Sequence, residues 1–388
     1  MSKLSDCVNF LDAKRVPLSS KVRANLAKNY PYYGAQGIVD YVDDYLFDGS
    51  YILVAEDGNN LKSLNEPITT WATGKFWVNN HAHILGEKDG YCLKYIYYLL
   101  TCMDLRGYIT GSAQPKFNQD NLANVRLNLP ELSTQKKISN VLTVLDEKTS
   151  NNNALCAELE SMAKTLYDYW FTQFDFPDEN GKPYRSSGGD MVWNEQLKRE
   201  IPKGWNVGQL SDIANIAMGQ SPAGETYNEN GNGMIFYQGC TDFGTRFPVP
   251  RVYTTAPTRF AKSGDILMSV RAPVGTLNVA IEDCSIGRGL AALNSKIGSQ
   301  LYLWYTLAGF KQLFNVLDGN GTTFGSITKD TLYETKVVIP NPVLVKSFEE
   351  IVQPIEQKIR IIEEENRELT KLRDWLLPML MNGQAIVE

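Results

Sequence analysis

The second half of this 388-residue chain repeats the first half at a constant offset of 210 residues. Residues 111–122 align with residues 321–332, and residues 125–130 align with residues 335–340. The alignment then continues without a gap, so that the apolar positions of one predicted helix coincide with those of the other. A solenoid needs three or more short repeats to bury a continuous core, whereas two long copies predict a pseudo-symmetric molecule with two equivalent roles.

The net charge of −6 is unevenly distributed along the chain. Residues 1–130 carry 13 basic and 13 acidic side chains, and residues 205–340 carry 10 of each. The acidic excess lies in residues 131–204 and 341–388, where long helices are predicted, and a Glu-rich helix surface is usually just solvated. The overall acidity therefore does not exclude contact between nucleic acid and the two neutral segments.

The cysteines and the hydropathy of the chain indicate its compartment. Its six cysteines are scattered and form no Cys-x-x-Cys pair, which favours reduced thiols over a disulfide framework. No run of about 18 apolar residues occurs, and the N-terminus lacks the apolar stretch of a signal peptide. A cytoplasmic location is therefore expected, with no membrane as a partner.

The pattern of apolar runs and turn residues divides the chain into five segments. Residues 1–130 and 205–342 mix short apolar strands with turns and one apolar helix each, so both are predicted to be α/β domains. Residues 131–172 and 343–388 show the three-four spacing of a helical seam. Residues 173–204 are expected to form an exposed connector. The predicted fold class is α+β, with two pseudo-symmetric α/β domains separated by two long helices that form an antiparallel coiled coil.

The two long helices are expected to bury their apolar stripes against each other. The polar residues Asn152 and Asn366 fall on the predicted seam and would help to fix its register. Pro354 is expected to kink the second helix or to delay its regular start. The apolar seam positions are Ile138, Val141 or Leu142, Leu145, Leu155 or Cys156, Leu159, Met162 or Ala163, Leu166 and Tyr169 or Trp170 in the first helix, and Phe348, Ile351 or Val352, Ile355, Ile359, Ile362, Leu369, Leu372, Leu376 and Met379 or Leu380 in the second.

Most signatures of catalysis are missing from the sequence. It contains neither the Gly-x-x-x-x-Gly-Lys-Ser/Thr loop that binds nucleotide phosphates nor the Asn/Asp-Pro-Pro-aromatic motif of amino-methyltransferases. The only histidines, His81 and His83, would share one face of a strand, and a zinc site would need two further ligands. Packing in the core or in a turn is the favoured role of both histidines, with metal binding as the alternative.

Five groups of short motifs occur in a defined order: Gly111-Ser-x-Gln114 with Leu129-Pro130 and Gln135-x-x-Ile138; Ile201-Pro-x-Gly-Trp205 with Leu210-x-Asp-Ile213; Met218-Gly-Gln-Ser-Pro222; Gly264-Asp-Ile-Leu267; and Ile286-Gly-Arg-Gly-Leu290. In this order and twofold arrangement they resemble the specificity subunits of type I restriction-modification enzymes, and the resemblance covers essentially the whole chain. The second copy departs from the first by carrying Val345 at the position of Gln135.

The resemblance implies a function and a set of partners. In that family each globular piece is a target-recognition domain that reads one half of a bipartite site in double-stranded DNA. The helices space the two domains and bind two methyltransferase (modification) subunits, and through them the restriction/translocase subunits. The chain itself is then expected to be non-catalytic and to hold no cofactor, with S-adenosylmethionine, ATP and Mg²⁺ belonging to the partner subunits.

DNA contact requires Arg or Lys on phosphates and Arg, Gln, Asn or Ser/Thr on base edges. Both domains carry such residues in predicted loops, although each residue taken singly is as readily an ordinary surface side chain. The first-domain candidates are Lys14, Arg15, Lys21, Arg23, Tyr32, Gln36, Asn59, Asn60, Lys62 and Lys75, and the second-domain candidates are Gln220, Ser221, Arg246, Arg251, Thr258, Arg259, Lys262 and Arg271. Arg288 falls in a strand that is predicted to be buried, where it could equally bind a structural carboxylate.

Two alternatives remain open from the sequence. The chain could be an interaction scaffold whose globular pieces bind protein rather than DNA, or a recognition subunit of a related fused restriction system. For the helices, a plain intramolecular coiled coil competes with docking of partner subunits. Docking is favoured because large aromatic residues are enriched in interfaces. The residues expected to form that surface are Tyr167, Trp170, Phe171, Trp375 and Met379.

The missing motifs predict that the chain is enzymatically silent on its own. The purified chain should neither cleave nor methylate DNA, and methylation should begin only when the methyltransferase subunit is added. Incorporation of labelled methyl groups into DNA measures this directly, with the methyltransferase subunit alone as the control. Methyl transfer or cleavage by the isolated chain, after removal of contaminating enzymes, would contradict the prediction.

Overall fold

The computed structural model describes residues 1–61, 67–111, 114–319 and 326–387. The chain divides into two compact units. The first unit consists of Met1–Ser150 and Arg367–Glu388, and the second consists of Asn151–Asn366. Each unit contains one globular domain together with parts of both long helices.

The first unit is built on a six-stranded sheet. Its strand order is β2-β7-β5-β6-β3-β4, in which β3 and β6 are parallel and the other neighbours are antiparallel. The central strand β5 buries Ile52, Leu53 and Val54 in succession, as expected for a strand covered on both faces. The strands are β1 Ser2–Lys3, β2 Asn9–Phe10, β3 Tyr30–Gly34, β4 Gly37–Val42, β5 Phe47–Ala55, β6 Thr69–Val78, β7 Ala82–Gly86 and β8 Arg126–Leu127.

The longest of the short helices in this unit, α3, packs against strands β5 and β6 of the sheet. The apolar helix predicted near residues 91–100 is present as α3, whose Tyr95, Ile96 and Leu99 lie in the core of the unit. The backbone amide of Cys92 at its start donates to the side-chain oxygen of Gln135 at 3.0 Å. Within the described residues of this unit the short helices are α1 Leu4–Cys7, α2 Ser20–Arg23, α3 Leu93–Cys102 and α4 Gln119–Ala123.

The second unit contains two larger sheets and two two-stranded sheets. One sheet has the order β12-β20-β17-β18 and another the order β13-β15-β14-β19-β16, while β9 pairs with β10 and β11 pairs with β21. The strands are β9 Met191–Asn194, β10 Arg199–Pro202, β11 Asn206–Gln209, β12 Ala214–Met218, β13 Tyr227–Asn228, β14 Met234–Tyr237, β15 Tyr253–Thr254, β16 Phe260–Ala261, β17 Ile266–Ser269, β18 Leu277–Val279, β19 Cys284–Ile286, β20 Leu290–Ser295 and β21 Lys336–Ile339.

The helices of the second unit correspond to those of the first. They are α6 Leu210–Ile213, α7 Gln300–Gly319 and α8 Lys329–Glu334. The start of α7 is capped by the carboxylate of Glu349, which accepts from the Leu301 amide at 3.3 Å and also from the Ser299 hydroxyl. Glu349 therefore performs in this unit the capping role of Gln135 in the first, because Val345 at the position of Gln135 has no hydrogen-bonding group.

The internal repeat is confirmed at the entry to each domain. In the first unit β1 pairs with β8, and the Lys3 amide donates to the Asp6 carboxylate at 3.0 Å. In the second unit β11 pairs with β21, and the Gln209 amide donates to the Asp212 carboxylate at 2.7 Å. The shared Leu-Ser-Asp sequence thus begins the same short helix twice, with an aspartate capping each start.

The two predicted long helices are present as α5 Leu132–Tyr167, which continues into a π-helical turn at Asp168–Thr172, and α9 Pro342–Met381. In the first unit Ile138 and Leu142 of α5 share a core with Leu380 of α9. In the second unit Cys156 of α5 packs with Ile359 and Ile362 of α9. Residues of α5 with higher numbers face residues of α9 with lower numbers, so the pairing is antiparallel.

Some expectations about the helices and the connector need correction. Pro354 does not delay the start of α9, because the helix begins at Pro342, a position at the first turn where the missing amide of proline costs nothing. Leu372, predicted on the seam, is 43% exposed. The connector at 173–204 is not simply exposed, since Phe174 is buried and β9 and β10 form a hairpin within it. In the part of the chain that the structure describes, no helix is long and apolar enough to cross a membrane.

Candidate nucleic-acid interface

A turn at residues 287–289, between β19 and β20, is a meeting point of several segments of the second unit. The Gly289 amide donates to the Gln238 carbonyl at 3.1 Å, which joins the turn to the end of β14. The Val270 amide donates to the Gly289 carbonyl at 2.9 Å, which joins the turn to the end of β17. The turn is therefore held by main-chain atoms on two sides.

Two further segments reach the same turn through Ile286. Its carbonyl accepts from the Gln220 amide at 3.0 Å, and its amide donates to the Arg259 carbonyl at 3.0 Å. The exposed and half-exposed side chains around the turn are here named the glycine-turn edge. It comprises Gln220, Ser221, Gln238, Thr258, Arg259, Arg271 and Arg288.

Glycine is required in this turn because neighbouring backbones approach it closely. A Cβ atom on Gly219 would lie 2.1 Å from the Gly287 carbonyl oxygen, and a Cβ atom on Gly289 would lie 2.7 Å from the Gln238 carbonyl oxygen. Both distances are far inside van der Waals contact. The Met-Gly-Gln-Ser and Ile-Gly-Arg-Gly-Leu motifs of the sequence therefore meet in space, and their glycines allow that meeting.

Side-chain hydrogen bonds then order the polar groups at the glycine-turn edge. The Ser221 hydroxyl oxygen accepts from the Gln238 amide group at 2.9 Å and from the Arg288 backbone amide at 3.2 Å. The Thr258 hydroxyl donates to the Gln220 carbonyl at 2.6 Å. These bonds fix the backbone positions of Gln220 and Arg288 and leave both side chains exposed.

The structure corrects the sequence interpretation of Arg288. This residue is exposed in a turn rather than buried in a strand, because β19 ends at Ile286 and β20 begins only at Leu290. Neither Arg288 nor Gln238 was among the predicted DNA-binding residues. Arg288 was left out because apolar residues on both sides of it are typical of a continuous strand. The flanking glycines were the available signal for a turn.

The glycine-turn edge has the chemistry of a surface that reads DNA. Arginine can bond to both acceptors of guanine, glutamine can bond to both polar groups of adenine, and serine and threonine can contact either type of base. Arginine also binds phosphate oxygens. Of the predicted second-domain residues, Gln220, Ser221, Thr258, Arg259 and Arg271 are brought together here.

Arg246 occupies a different environment from the other predicted cations. It is 3% exposed, and its Nε donates to Glu356 of α9 at 2.9 Å while its terminal nitrogen lies 3.3 Å from Glu160 of α5. Its guanidinium carbon lies 3.6 Å from the centre of the Trp304 ring. Burial by itself lowers the pKa of Arg246, but the charges of Glu356 and Glu160 outweigh burial and raise the pKa. Burial removes Arg246 from the DNA-binding set.

The remaining second-domain cations are exposed and paired with carboxylates. Arg251 contacts Asp242 at 2.8 Å, and Lys262 contacts Asp283 at 2.6 Å. The hydrogen bond to Asp283 raises the pKa of Lys262. Such surface pairs contribute little to stability and can be exchanged for phosphate contacts, so both residues stay in the proposed set.

In the first unit several predicted residues serve the fold. Tyr32 and Asn60 are fully buried, and the Asn60 amide group donates to the Ala35 carbonyl at 3.1 Å. Burial removes both residues from the DNA-binding set. Arg15 is held by Glu56 at 2.9 Å and by the Ala82 carbonyl at 3.0 Å, which leaves it a structural role. The prediction of DNA contact failed here because loop residues and buried turn residues have similar sequence patterns.

The other first-unit candidates that the structure describes are exposed, apart from Arg23, which is half-buried. Arg23 on α2 bonds to Asp40 at 2.9 Å and lies over the ring of Tyr32, and Lys75 on β6 lies 4.5 Å from the ring centre of Tyr45. The residues Lys14, Lys21, Gln36 and Asn59 are exposed. Lys62 lies outside the described residues.

The two histidines have separate environments. His83 on β7 is buried, with Nδ1 2.5 Å from the Asp12 carboxylate and Nε2 2.7 Å from the Phe117 carbonyl. His81 lies just before that strand, is exposed, and contacts the Asp57 carboxylate at 2.8 Å. Among the described residues no group of three or more His, Cys, Asp or Glu side chains is arranged to hold a metal ion.

The aromatic residues near the end of α5 are core residues and not a free docking surface. Trp170 and Phe171 are buried, and Tyr167 packs against the same core, where Phe171 and Phe348 rings lie 5.2 Å apart. The expectation of a partner surface is therefore wrong for these three. Trp375 of α9 differs, because its side chain is 60% exposed.

Comparison with known proteins places the chain among DNA specificity proteins. A family model described as "Type I restriction modification DNA specificity domain" matches residues 1–161 and 202–371. A putative type I restriction enzyme MjaX specificity subunit of Methanocaldococcus jannaschii is 31% identical over 303 residues, which cover 76% of this chain and 68% of that protein. A putative type I restriction enzyme specificity subunit of Haemophilus influenzae is 35% identical over 147 residues, 38% of this chain and 37% of that protein.

A solved structure has the same fold. The crystal structure of the type I restriction-modification S subunit from M. genitalium aligns with 98% of this chain and 95% of its own, with a TM-score of 0.59 and 18% identity. With the family model matching most of the sequence, this chain belongs to the family of type I restriction-modification specificity subunits. The family resemblance of the sequence motifs is thereby confirmed.

Two arginines of the second unit offer a matched test of burial. Arg246→Met should lower the free energy of unfolding by about 3–5 kcal/mol, because it leaves Glu160 and Glu356 without their buried cation. Arg251→Met removes an exposed pair and should cost less than about 1 kcal/mol. Urea unfolding followed by circular dichroism compares the two variants. Equal losses would mean that Arg246 is not held in the buried ion cluster.

Proposed function

We propose that this chain reads a split, asymmetric target in double-stranded DNA and positions two methyltransferase subunits, and through them restriction/translocase subunits, on that target. The observation that carries the proposal is the glycine-turn edge, where Arg288, Arg259 and Gln220 lie on one backbone-bonded junction. Arginine and glutamine at one rigid edge suit direct reading of bases. The membership of the DNA specificity family supports the same conclusion.

The two domains should read different half-sites. Their frameworks correspond, but the sequence around the turn at residues 287–289 has no counterpart of the same residue types in the first domain. Candidate contacts of the first domain lie instead on α2, on β6 and in nearby loops, among them Lys21, Arg23 and Lys75. Different side chains on equivalent domains give a non-palindromic target interrupted by unread base pairs.

The chain is proposed to act without catalysis or a bound cofactor of its own. S-adenosylmethionine, ATP and Mg²⁺ would then be bound by the partner subunits. Exposed apolar side chains of α9 in the first unit, Leu372 and Trp375, support partner docking, because aromatic residues are enriched at interfaces. A scaffold that binds only protein is the alternative, and salt-sensitive, sequence-selective DNA binding distinguishes the two.

Mapping of methylated bases tests the proposal and assigns the second domain. In cells that express this chain with its methyltransferase subunit, we expect a motif made of two different half-sites. Arg288→Ala should weaken or relax one half-site by about 1–3 kcal/mol in discrimination and leave the other unchanged, because one base contact is lost. Sequencing that detects modified bases gives the methylated motif of the original chain and that of the Arg288→Ala variant.

Arg185→Ala is the control, since Arg185 is also an exposed arginine but lies in the connector, 3.7 Å from Glu200. It should leave the methylated motif unchanged. A palindromic or uninterrupted motif would contradict the bipartite reading. Relaxation of both half-sites by Arg288→Ala would contradict the assignment of one half-site to each domain.

The long helices are proposed to set the gap between the half-sites. Inserting one heptad near Asn152, with a compensating heptad near Asn366, adds about 10 Å to each helix. That length is close to three base-pair steps of about 3.4 Å. The methylated motif should therefore keep both half-sites and change only in the number of unread base pairs between them.

Two outcomes of the insertion would count against this role. An unchanged gap would show that the helices do not determine the spacing. Altered half-site bases would show that recognition does not lie in the globular domains. Insertion of seven residues in the exposed turn after Asn180 serves as the control, because this turn belongs to neither long helix.

A further inference from the structure

The seam between α5 and α9 contains one buried polar layer in the second unit. The Asn152 amide group donates to the Asn366 side-chain oxygen at 2.8 Å and also lies 2.8 Å from the Glu365 carboxylate. The Asn366 amide group in turn donates to the Asn153 side-chain oxygen at 2.9 Å. Asn152 and Asn366 are only 5% and 7% exposed, and the hydrogen bond between them lies within the seam.

The internal repeat assigns this layer a counterpart. At the offset of 210 residues Asn152 corresponds to Ile362, and Asn366 corresponds to Cys156. Cys156 and Ile362 do pack against each other, in an apolar cluster with Ile359. The two equivalent layers of the pseudo-symmetric seam are therefore chemically unequal: one is Asn with Asn and the other is Cys with Ile.

We propose that this unequal pair of layers makes α5 select α9 and reject a second copy of itself. The repeat makes this selection necessary, because the apolar positions of α5 coincide with those of α9 at the offset of 210 residues. Leu159, for example, coincides with Leu369. A helix pair formed from two copies of α5, or from two copies of α9, would thus match well in its apolar positions. Nothing in the apolar stripe alone excludes that pairing between two chains.

The asparagine layer disfavours pairing between two copies of the same helix. In a pair of two α5 helices with the same geometry, Asn152 of each copy would face Cys156 of the other. In a pair of two α9 helices, Asn366 would face Ile362. The first pairing removes both acceptors of the Asn152 amide group, Asn366 and Glu365, and the second removes the donor to the Asn366 side-chain oxygen. An unsatisfied buried polar group disfavours its arrangement by about tenfold or more. Single buried asparagines select partners in coiled coils in the same way.

The proposal is tested by making the two layers equal. Asn152→Ile with Asn366→Cys turns both layers into Cys with Ile, whichever helices pair. Cys156→Asn with Ile362→Asn turns both layers into Asn with Asn. The two full-length variants change polarity in opposite directions and share only the removal of the asymmetry. Asn151→Ile is the control, because Asn151 is exposed and the same chemical change there leaves the seam intact.

Lysine cross-links distinguish the pairings after ¹⁴N-labelled and ¹⁵N-labelled chains are refolded together from denaturant. The native antiparallel register brings Lys164 of α5 near Lys358 of α9. A pair of two α5 helices instead brings Lys148 of one chain near Lys164 of the other. Mass spectrometry measures the ratio of mixed-isotope Lys148–Lys164 cross-links to Lys164–Lys358 cross-links.

We expect this ratio to rise about tenfold or more in each symmetric variant and to stay unchanged in Asn151→Ile. The variant with Asn152→Ile and Asn366→Cys tests the proposal even if the variant with Cys156→Asn and Ile362→Asn fails to fold. The first variant adds only apolar groups to the seam. A ratio equal to that of the original chain in this variant would overturn the proposal. So would an equal rise in the Asn151→Ile control.

Discussion

The burial of the apolar stripes of α5 and α9 is the constraint on which the rest of the structure depends. A helix of 36 residues and one of 40 residues cannot keep such stripes in water, and most helix stability in proteins comes from packing of that face. Each globular core uses the helices in turn. Ile138 and Leu380 complete the core of the first unit, and Trp170 and Phe348 complete that of the second. The domains and the helices are therefore stabilised together within each unit.

Arg246 shows how a charged group can also join a globular domain to the helices of its unit. Its burial is costly in itself, and the cost is offset only because Glu160 of α5 and Glu356 of α9 both lie against it, with the Trp304 ring below. Apolar packing tolerates small shifts, whereas a guanidinium held by two carboxylates accepts few orientations. The cluster thus adds directional contact between a loop of the second domain and both helices of its unit.

The sequence predicted the parts of this structure that depend on local pattern. The repeat, the apolar helix now seen as α3, the presence of two long helices and the seam positions of Asn152 and Asn366 all follow from spacing along the chain. The parts that failed depend on distant partners. Arg246 is buried because of Glu356, 110 residues away, and the exposure of Arg288 depends on how its turn packs against Gln238. The glycines on both sides of Arg288 signal a turn, but a single sequence does not show that this turn meets Gln238 or that Arg246 meets Glu356.

The glycine-turn edge separates a main-chain frame from the exposed side chains that the frame carries. The turn at residues 287–289 is bound through main-chain amides and carbonyls and through glycines that allow close approach. The side chains of Gln220, Arg259 and Arg288 project from that frame without supporting it. Surface substitutions of this kind usually change stability by less than about 0.5 kcal/mol. An edge built in this way can therefore exchange its exposed side chains while the main-chain frame that carries them stays folded.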